Sequence, residues 1–493
     1  MPQPGPVQPG RTEAALVEES APAPDPSRTR LIALIVATAL FMQNLDGTVV
    51  ATALPTMAQA FGADPLHMNV ALTSYLLSLA VFIPVSGWMA DRYGAKTVFR
   101  AAIAVFTVGS VLCGMADTLT ALVLARIVQG VGGAMMVPVG RLLLLRSVAK
   151  SELVAAMAWL TTPALIGPVV GPPLGGFLVE YANWRWIFDI NVPIGVLGIV
   201  LVTLFVPDVR EPAPGRLDGV GLVLSGLALA CLMLGFETAG RGVLAAPAVA
   251  GLLASGLAAA ILYMWHSRRA VAAGVTPLLD LTLMRIPTFA VSVTAGSLFR
   301  IGVGAIPFLL PLMLQLGFGL SPIQSGMITF ASAVGAIAMK PAAQYALRTF
   351  GFRMTLGWNG TAGAALLAMM GFYRPSWPLL ALYTALILGG FLRSLQFTAY
   401  NTIAYADIPR ERMSAATSLY STLQQLSLTL GITVGAAALQ FATVLSGRAA
   451  PSLADFTLAF LTVAVFSLAA APFAFRLRDD AGAEMSGHRA RGA

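Results

Sequence analysis

The chain is poor in charge. Of its 493 residues 11% are charged and 57% hydrophobic, whereas a soluble domain carries about 25% charged residues. So little charge cannot cover a globular surface with hydrated groups, which leaves an integral membrane protein. Cysteine is nearly absent. Cys113 and Cys231 are the only two, both inside apolar runs, so neither a disulfide framework nor a thiolate metal site is expected. The three histidines, His67, His266 and His488, are scattered over a loop, a helix end and a tail. No cluster resembles a metal or nucleophile site, so no enzyme, metal or cofactor is expected. No G-x-x-x-x-G-K-[S/T] loop occurs, so ATP-driven work would require a partner chain. The net charge of +8 would suggest nucleic acid in a soluble protein. Here the cations sit in short loops, where they read as topology, and no nucleic-acid partner is expected.

What is present is hydrophobic length. A bilayer core of roughly 30 Å needs about 20 apolar helical residues. On that ruler the chain holds 14 candidate helices, centred near Ala39, Ser78, Val108, Gly132, Ile166, Gly195, Ala228, Gly256, Gly302, Val334, Leu366, Ile387, Ser427 and Phe466. With the amino terminus inside, every cytoplasmic loop carries at least two cations. The outer loops carry one at most: Arg185, Arg241, Arg374 and Arg448. This alternation places both termini in the cytoplasm. Residues 1–29, rich in proline and polar groups, read as a disordered cytoplasmic tail rather than a cleaved signal peptide.

Two loops echo each other. "GWMADRYGAK" at 87–96 and "QYALRTFGFR" at 344–353 each bring an aromatic–Gly–x–basic turn to the inner face. The offset of eight helices fits two six-helix halves, 30–207 and 288–477, separated by a linker (208–287) carrying inserted helices 7 and 8. A short cytoplasmic tail, 478–493, follows. Repeats of this kind build the large transporter folds, whose substrate site lies between the halves near mid-bilayer.

Several segments carry chemistry. Asp46 stands in "LDGTVVATALP" (45–55) within an otherwise apolar helix, where an ionised carboxylate costs at least a few kcal/mol. "LARIVQGVGGAMMVPVGR" (124–141) lays Arg126, Gln129, Gly130, Gly133, Val137 and Gly140 along one small and polar stripe. At 1.5 Å per residue Asp46 lies roughly 22 Å, and Arg126 roughly 20 Å, from the inner face, so the two charges share a depth. They form either a proton-carrying pair or a static ion pair orienting helices 1 and 4. In the 87–96 loop Gly94 permits a tight turn. Asp91 can accept from Arg92 or from backbone N–H groups, as a conformational gate or merely as part of a solvated loop. "GPVVGPPLGG" (167–176) spaces Gly167, Gly171 and Gly175 four apart on one face, with Pro168, Pro172 and Pro173 loosening the helix. Small residues alone would mean only close packing.

Together with "NWRWIFDINVPIG" (183–195), these segments resemble, in order and spacing, the 14-helix drug:proton antiporters of the major facilitator superfamily, the EmrB/QacA type. "PFLLPLMLQLGFG" (307–319) and "QFTAYNTIAYAD" (396–407) bring the likeness nearest to MdtD-like multidrug exporters. It spans roughly 31–475. The resemblance implies an all-α membrane fold of two six-helix halves plus two inserted helices, in a bacterial inner membrane. It implies proton coupling by Asp46 and Arg126. It also implies a gate of Gly87, Asp91, Arg92, Gly94 and Lys96, and an antiporter motif of Gly167, Pro168, Gly171, Pro172, Gly175 and Gly176. The expected partners are a small-molecule substrate, protons and lipid. A periplasmic or outer-membrane efflux partner stays open.

Some residues depart from that pattern. Asp189 stands where an apolar residue is expected. An outer-face pair with Arg185, one turn earlier, is the favoured reading over a second proton or cation site. Arg300 and Arg393 lie in helices 9 and 12 with no acid in either helix, which suits an anionic or zwitterionic substrate or pairing with distant acids. Lys340 is expected to snorkel to the inner interface. Gln43, Gln129, Asp189, Arg300, Arg393, Gln396, Tyr400, Asn401, Tyr420 and Gln424 are candidates for a substrate cavity. Interhelical hydrogen bonding explains the polar ones of helices 12 and 13 equally well. The competing readings are an exporter of one dedicated metabolite and a non-transporting sensor or scaffold on a transporter fold.

Overall fold

The computed structural model describes residues 26–62, 68–208, 215–239, 244–448 and 450–488. Most of the expected tail, His67, Arg210 and Arg241 lie outside them. The helices of the first half are α1 (Pro26–Phe61), α2 (Asn69–Phe82), α3 (Ser86–Tyr93), α4 (Ala95–Gly114), α5 (Leu119–Ser147), α6 (Leu153–Tyr181), α7 (Trp186–Asp189) and α8 (Asn191–Phe205). Two more, α9 (Gly219–Thr238) and α10 (Ala246–Ala272), pair with each other as the inserted hairpin. The second half holds α11 (Pro287–Gly304), α12 (Ile306–Leu312), α13 (Pro322–Ala338), α14 (Lys340–Met354), α15 (Gly360–Met370), α16 (Leu379–Ile403), α17 (Met413–Leu445) and α18 (Leu453–Leu468). Two single turns follow, α19 (Ala471–Ala474) and α20 (Ala483–Ser486).

All 14 expected centres fall inside helices. By length and composition, 11 described helices can cross a membrane, and a bent pair, Ile323–Ala338 with Lys340–Met370 at 55°, raises the number to 12. α1 begins at Pro26, within the segment expected as a tail. Punctuation is local. Thr118 accepts from Ala121 N at the start of α5, and Ser321 forms a capping box with Gln324 ahead of α13. Each satisfies backbone donors that a helix end leaves free.

The halves pack internally through α1 on α6, α4 on α5, α13 on α16 and α11 on α17. In lipid, close approach of backbones replaces much of the hydrophobic drive. A Cβ on Gly335 would lie 1.8 Å from Ile387 O, and one on Gly390 would lie 2.0 Å from Ser332 O. Only glycine lets α13 and α16 touch there. Between the halves, α6 packs on α13, α14 and α16, while α17 packs on α3 and α5. The inserted α9 lies against α2 and α17.

The two echoing loops share a backbone device. Gly94, between α3 and α4, has φ 87°, and Gly351, within α14, has φ 70°. Both are conformations that a side chain would strain. Residues 479–488 fold back at this end. Arg353 bonds Asp479 at 2.5 Å, Lys150 reaches Glu484 at 3.1 Å, and Met485 is buried.

Candidate functional site

Asp46 sits on α1 with its side chain fully enclosed, as does that of Arg126 on α5. Arg126 Nη1 donates to Asp46 Oδ2 at 2.5 Å and to Gln129 Oε1 at 2.7 Å. Gln129, one turn along α5, donates through Nε2 to Asp46 Oδ1 at 2.9 Å. Asn191, at the start of α8, donates to the same oxygen at 3.2 Å and to Ser110 Oγ on α4 at 2.9 Å. Ser110 in turn donates to Phe188 O at 3.0 Å. Arg126 Nε donates to Ala71 O at 3.2 Å, and its guanidinium lies 4.2 Å from the centre of the Tyr75 ring. Both carboxylate oxygens therefore accept from neighbours on α5 and α8, and five helices meet at one charge. Removing one partner of a buried ion pair costs about 3–5 kcal/mol.

The cage is not closed. Arg126 Nη2, Tyr75 Oη and Asn191 Oδ1 are buried without a hydrogen-bond partner. A donor and an acceptor left idle beside a bound carboxylate can form new bonds when it changes protonation. Asn191, Ser110 and Tyr75 were not singled out in the sequence. Asn191 carried a signal, as an amide at the start of an apolar helix, two residues beyond Asp189.

The 87–96 segment joins the halves. Arg146 Nη2 on α5 donates to Asp91 Oδ1 at 2.8 Å, and the hydroxyl of Ser414 on α17 donates to Oδ2 of the same carboxylate. Gly87 N donates to Ser418 Oγ at 2.8 Å. Arg92 is not the partner expected for Asp91; it is exposed. Neighbours in a helix point about 100° apart and do not face each other. Lys96 Nζ donates to Thr203 O at 2.9 Å, tying α4 to α8.

On α6, Gly167 and Gly171 face α1. A Cβ on Gly167 would lie 3.0 Å from Asn44 Cβ, and one on Gly171 would lie 2.0 Å from Thr48 Oγ1. Gly175 is buried too, whereas Gly176 is exposed with open space around it. The helix runs unbroken through the segment. The side chains of Pro168 and Pro172 lie outside the described set.

The expected Asp189–Arg185 pair does not form. Arg185 stacks on Trp184, 4.4 Å from its ring centre, and its Nη2 donates to Asp117 at 2.8 Å. Position 185 precedes α7 rather than lying within it, so one-turn spacing does not bring the side chains together. Asp189 instead approaches the small face of Gly114. Lys340 lies 4.0 Å from the centre of the Trp159 ring, held against the opposite half.

The remaining polar candidates divide. Gln396 accepts from Asn359 at 2.6 Å and donates to Leu356 O at 2.9 Å, an interhelical tie. Gln129 belongs to the Asp46 cage. Gln43 keeps a buried carbonyl oxygen without a partner. Arg300, Tyr400, Asn401, Tyr420 and Gln424 gather in one region of the second half, described below. Arg393, half-buried on α16, has no carboxylate in ion-pair contact among the described residues.

Known proteins share this arrangement of helices. The Major Facilitator Superfamily profile matches residues 36–432 and 292–492. The chain belongs to the major facilitator superfamily. It is a multi-pass membrane transporter and not an enzyme. A relative named "Putative multidrug resistance protein MdtD" from Salmonella paratyphi A is 40% identical over 416 residues, 83% of this chain and 86% of its own. Another of that name, from Serratia proteamaculans, is 41% identical over 407 residues, covering 81% and 83%. The human organic anion transporter MFSD10 superposes with a TM-score of 0.64 at 14% identity, over 90% of this chain and 99% of its own. The proton:xylose symporter XylE superposes at 0.62 with 13% identity, over 94% and 98%. At such identities these two speak for the fold alone.

Proposed function

We propose that this major facilitator transporter exports small organic molecules from the cytoplasm in exchange for protons, with Asp46 carrying the proton. The observation behind the reading is the cage. A carboxylate fully enclosed at mid-helix is held by Arg126, Gln129 and Asn191. Protonating Asp46 places a donor on an oxygen that now only accepts. The charge-assisted bond from Arg126 then weakens, and the idle atoms of Arg126, Tyr75 and Asn191 can re-pair. Proton loading thus changes how α1, α5 and α8 hold together. α1 also lies against α6 through Gly167 and Gly171, so the change has a route to the helix that faces the second half.

Alternation would work at the 87–96 segment. Asp91, Ser414, Ser418 and Gly87 hold the halves together in the conformation seen, with Arg146 bonding Asp91 from within the first half, and separating α3 from α17 releases the bonds to Ser414 and Ser418. The proposal includes 14 membrane crossings with both termini inside, in a bacterial inner membrane. The helices around all 14 expected centres and the cation-rich inner loops support it. A second reading, a carrier for one dedicated metabolite, draws on the buried arginines of the second half.

The test is proton movement in proteoliposomes under an imposed pH gradient, with cationic, zwitterionic and anionic compounds added in turn. Substrate-dependent alkalinisation or acidification with several unrelated compounds supports multidrug exchange, and response to a single one supports the dedicated carrier. No compound-dependent proton movement in any arm contradicts the reading.

A further inference from the structure

Arg126 has its charge neutralised by Asp46; two other buried cations do not. Arg141 on α5 is 3% exposed and Arg300 on α11 is 1% exposed. They come from opposite halves and meet at one ring. The Tyr420 ring centre lies 5.1 Å from the Arg141 guanidinium carbon and 4.8 Å from that of Arg300. Neither arginine has a carboxylate in ion-pair contact among the described residues. Their partners are neutral. Arg141 donates to Gln424 at 3.2 Å and, at 3.4 Å each, to Tyr405 and Ser421. Arg300 donates to Asn401 at 3.4 Å and to the Tyr420 hydroxyl.

Neutral partners satisfy hydrogen bonds but leave the charge. Two like charges roughly 10 Å apart or less repel in a low-dielectric interior. An ionised side chain within a membrane is costly, and such residues usually pair or mark a substrate path. If the role were packing alone, a glutamine at either position could make the same neutral bonds without the charge. Unspent capacity remains as well. Nε of Arg141, Nε of Arg300 and the Tyr400 hydroxyl are all buried without partners.

We infer that Arg141 and Arg300 form a binding site for an organic anion, a carboxylate on an aromatic or otherwise apolar body, at the interface between the halves. The charge matches the two guanidinium groups. The body matches the walls of Phe397 and Tyr420, against which Arg300 already stacks. Because one arginine comes from each half, a bound anion favours the conformation in which the halves meet here. Moving them apart leaves it one cation instead of two. The inference deepens the export reading by naming a substrate class and rests on it only in taking this interface as the substrate's path.

The test uses the purified full-length protein in detergent, without a pH gradient, and measures thermal unfolding with 2-naphthoate and with its neutral analogue 2-naphthamide. The site predicts a concentration-dependent rise in Tm with the acid and none with the amide. Arg141→Gln or Arg300→Gln, singly, should weaken the acid's apparent affinity tenfold or more, as loss of a charge-assisted bond does. Without ligand, each variant should melt no lower than the parent, since a buried uncompensated charge has been removed. Arg300→Lys, which keeps the charge and loses the planar fork, should fold and bind more weakly; it serves if a glutamine variant cannot be purified. Equal shifts with acid and amide, no shift with the acid in the parent, or undiminished binding in the variants overturns the site. Absent naphthoate binding beside intact proton exchange with another compound would defeat this inference and leave the export reading standing. Naphthoate binding with no proton movement would do the reverse.

Discussion

Gly87 gives the junction between the halves a measurable handle. Its N–H bonds Ser418, and a Cβ there would lie 2.6 Å from Ser418 Oγ and 2.7 Å from Ser414 O. The hydroxyl can swing away. The carbonyl belongs to the α17 backbone and cannot, so Gly87→Ala forces α3 and α17 apart. Overpacking of this kind costs about 1–3 kcal/mol. The gain in helix propensity from glycine to alanine, about 1 kcal/mol, acts equally in every conformation that keeps α3 helical and cancels. The ratio of separated to joined conformations should therefore rise about 5- to 150-fold. Spin labels at Arg92→Cys and Arg410→Cys, exposed on opposite halves, report the separation once Cys113 and Cys231 are replaced by alanine. The alanine variant should move the distance distribution to its longer component. An unchanged distribution would refute the assignment of this contact as one that opens.

Other outcomes follow from the same geometry. Arg146→Gln removes the charge-assisted bond to a carboxylate only 17% exposed within the first half and should lower Tm, with a loss of about 1–3 kcal/mol. Gly171→Ala drives a methyl onto Thr48, so it should lower Tm, and adding Thr48→Ala should recover much of the loss; a double-mutant cycle reads the coupling. Gly351→Ala meets both φ 70° and the His488 ring at 2.9 Å, so melting should show a loss above 1 kcal/mol.

The helices were legible because apolar length is a one-dimensional signal. All 14 expected centres fall inside helices, and the echo of 87–96 with 344–353 appears in the structure as two positive-φ glycines. The meeting of Asp46 and Arg126 was legible for a related reason: both helices cross the same slab, so sequence position converts to depth. Lateral neighbours do not convert that way. Asn191, Ser110 and Tyr75 join the cage from three other helices whose rotation about their axes no spacing fixes. Asp91 pairs with Arg146 across 55 residues rather than with Arg92 beside it. Arg141 shares its helix with the small stripe, and its place at the junction depends on Tyr420, which sets it opposite Arg300.

The proposed role of Asp46 as the proton carrier is open to a direct measurement. A compound that drives proton movement in the parent should be followed in Asp46→Asn proteoliposomes in two modes: uptake driven by a pH gradient, and exchange of labelled for unlabelled compound at equal pH on both sides. In that variant exchange should persist, since binding and alternation remain, while the pH gradient should no longer drive uptake. Gradient-driven uptake at the parental rate in Asp46→Asn would contradict that role.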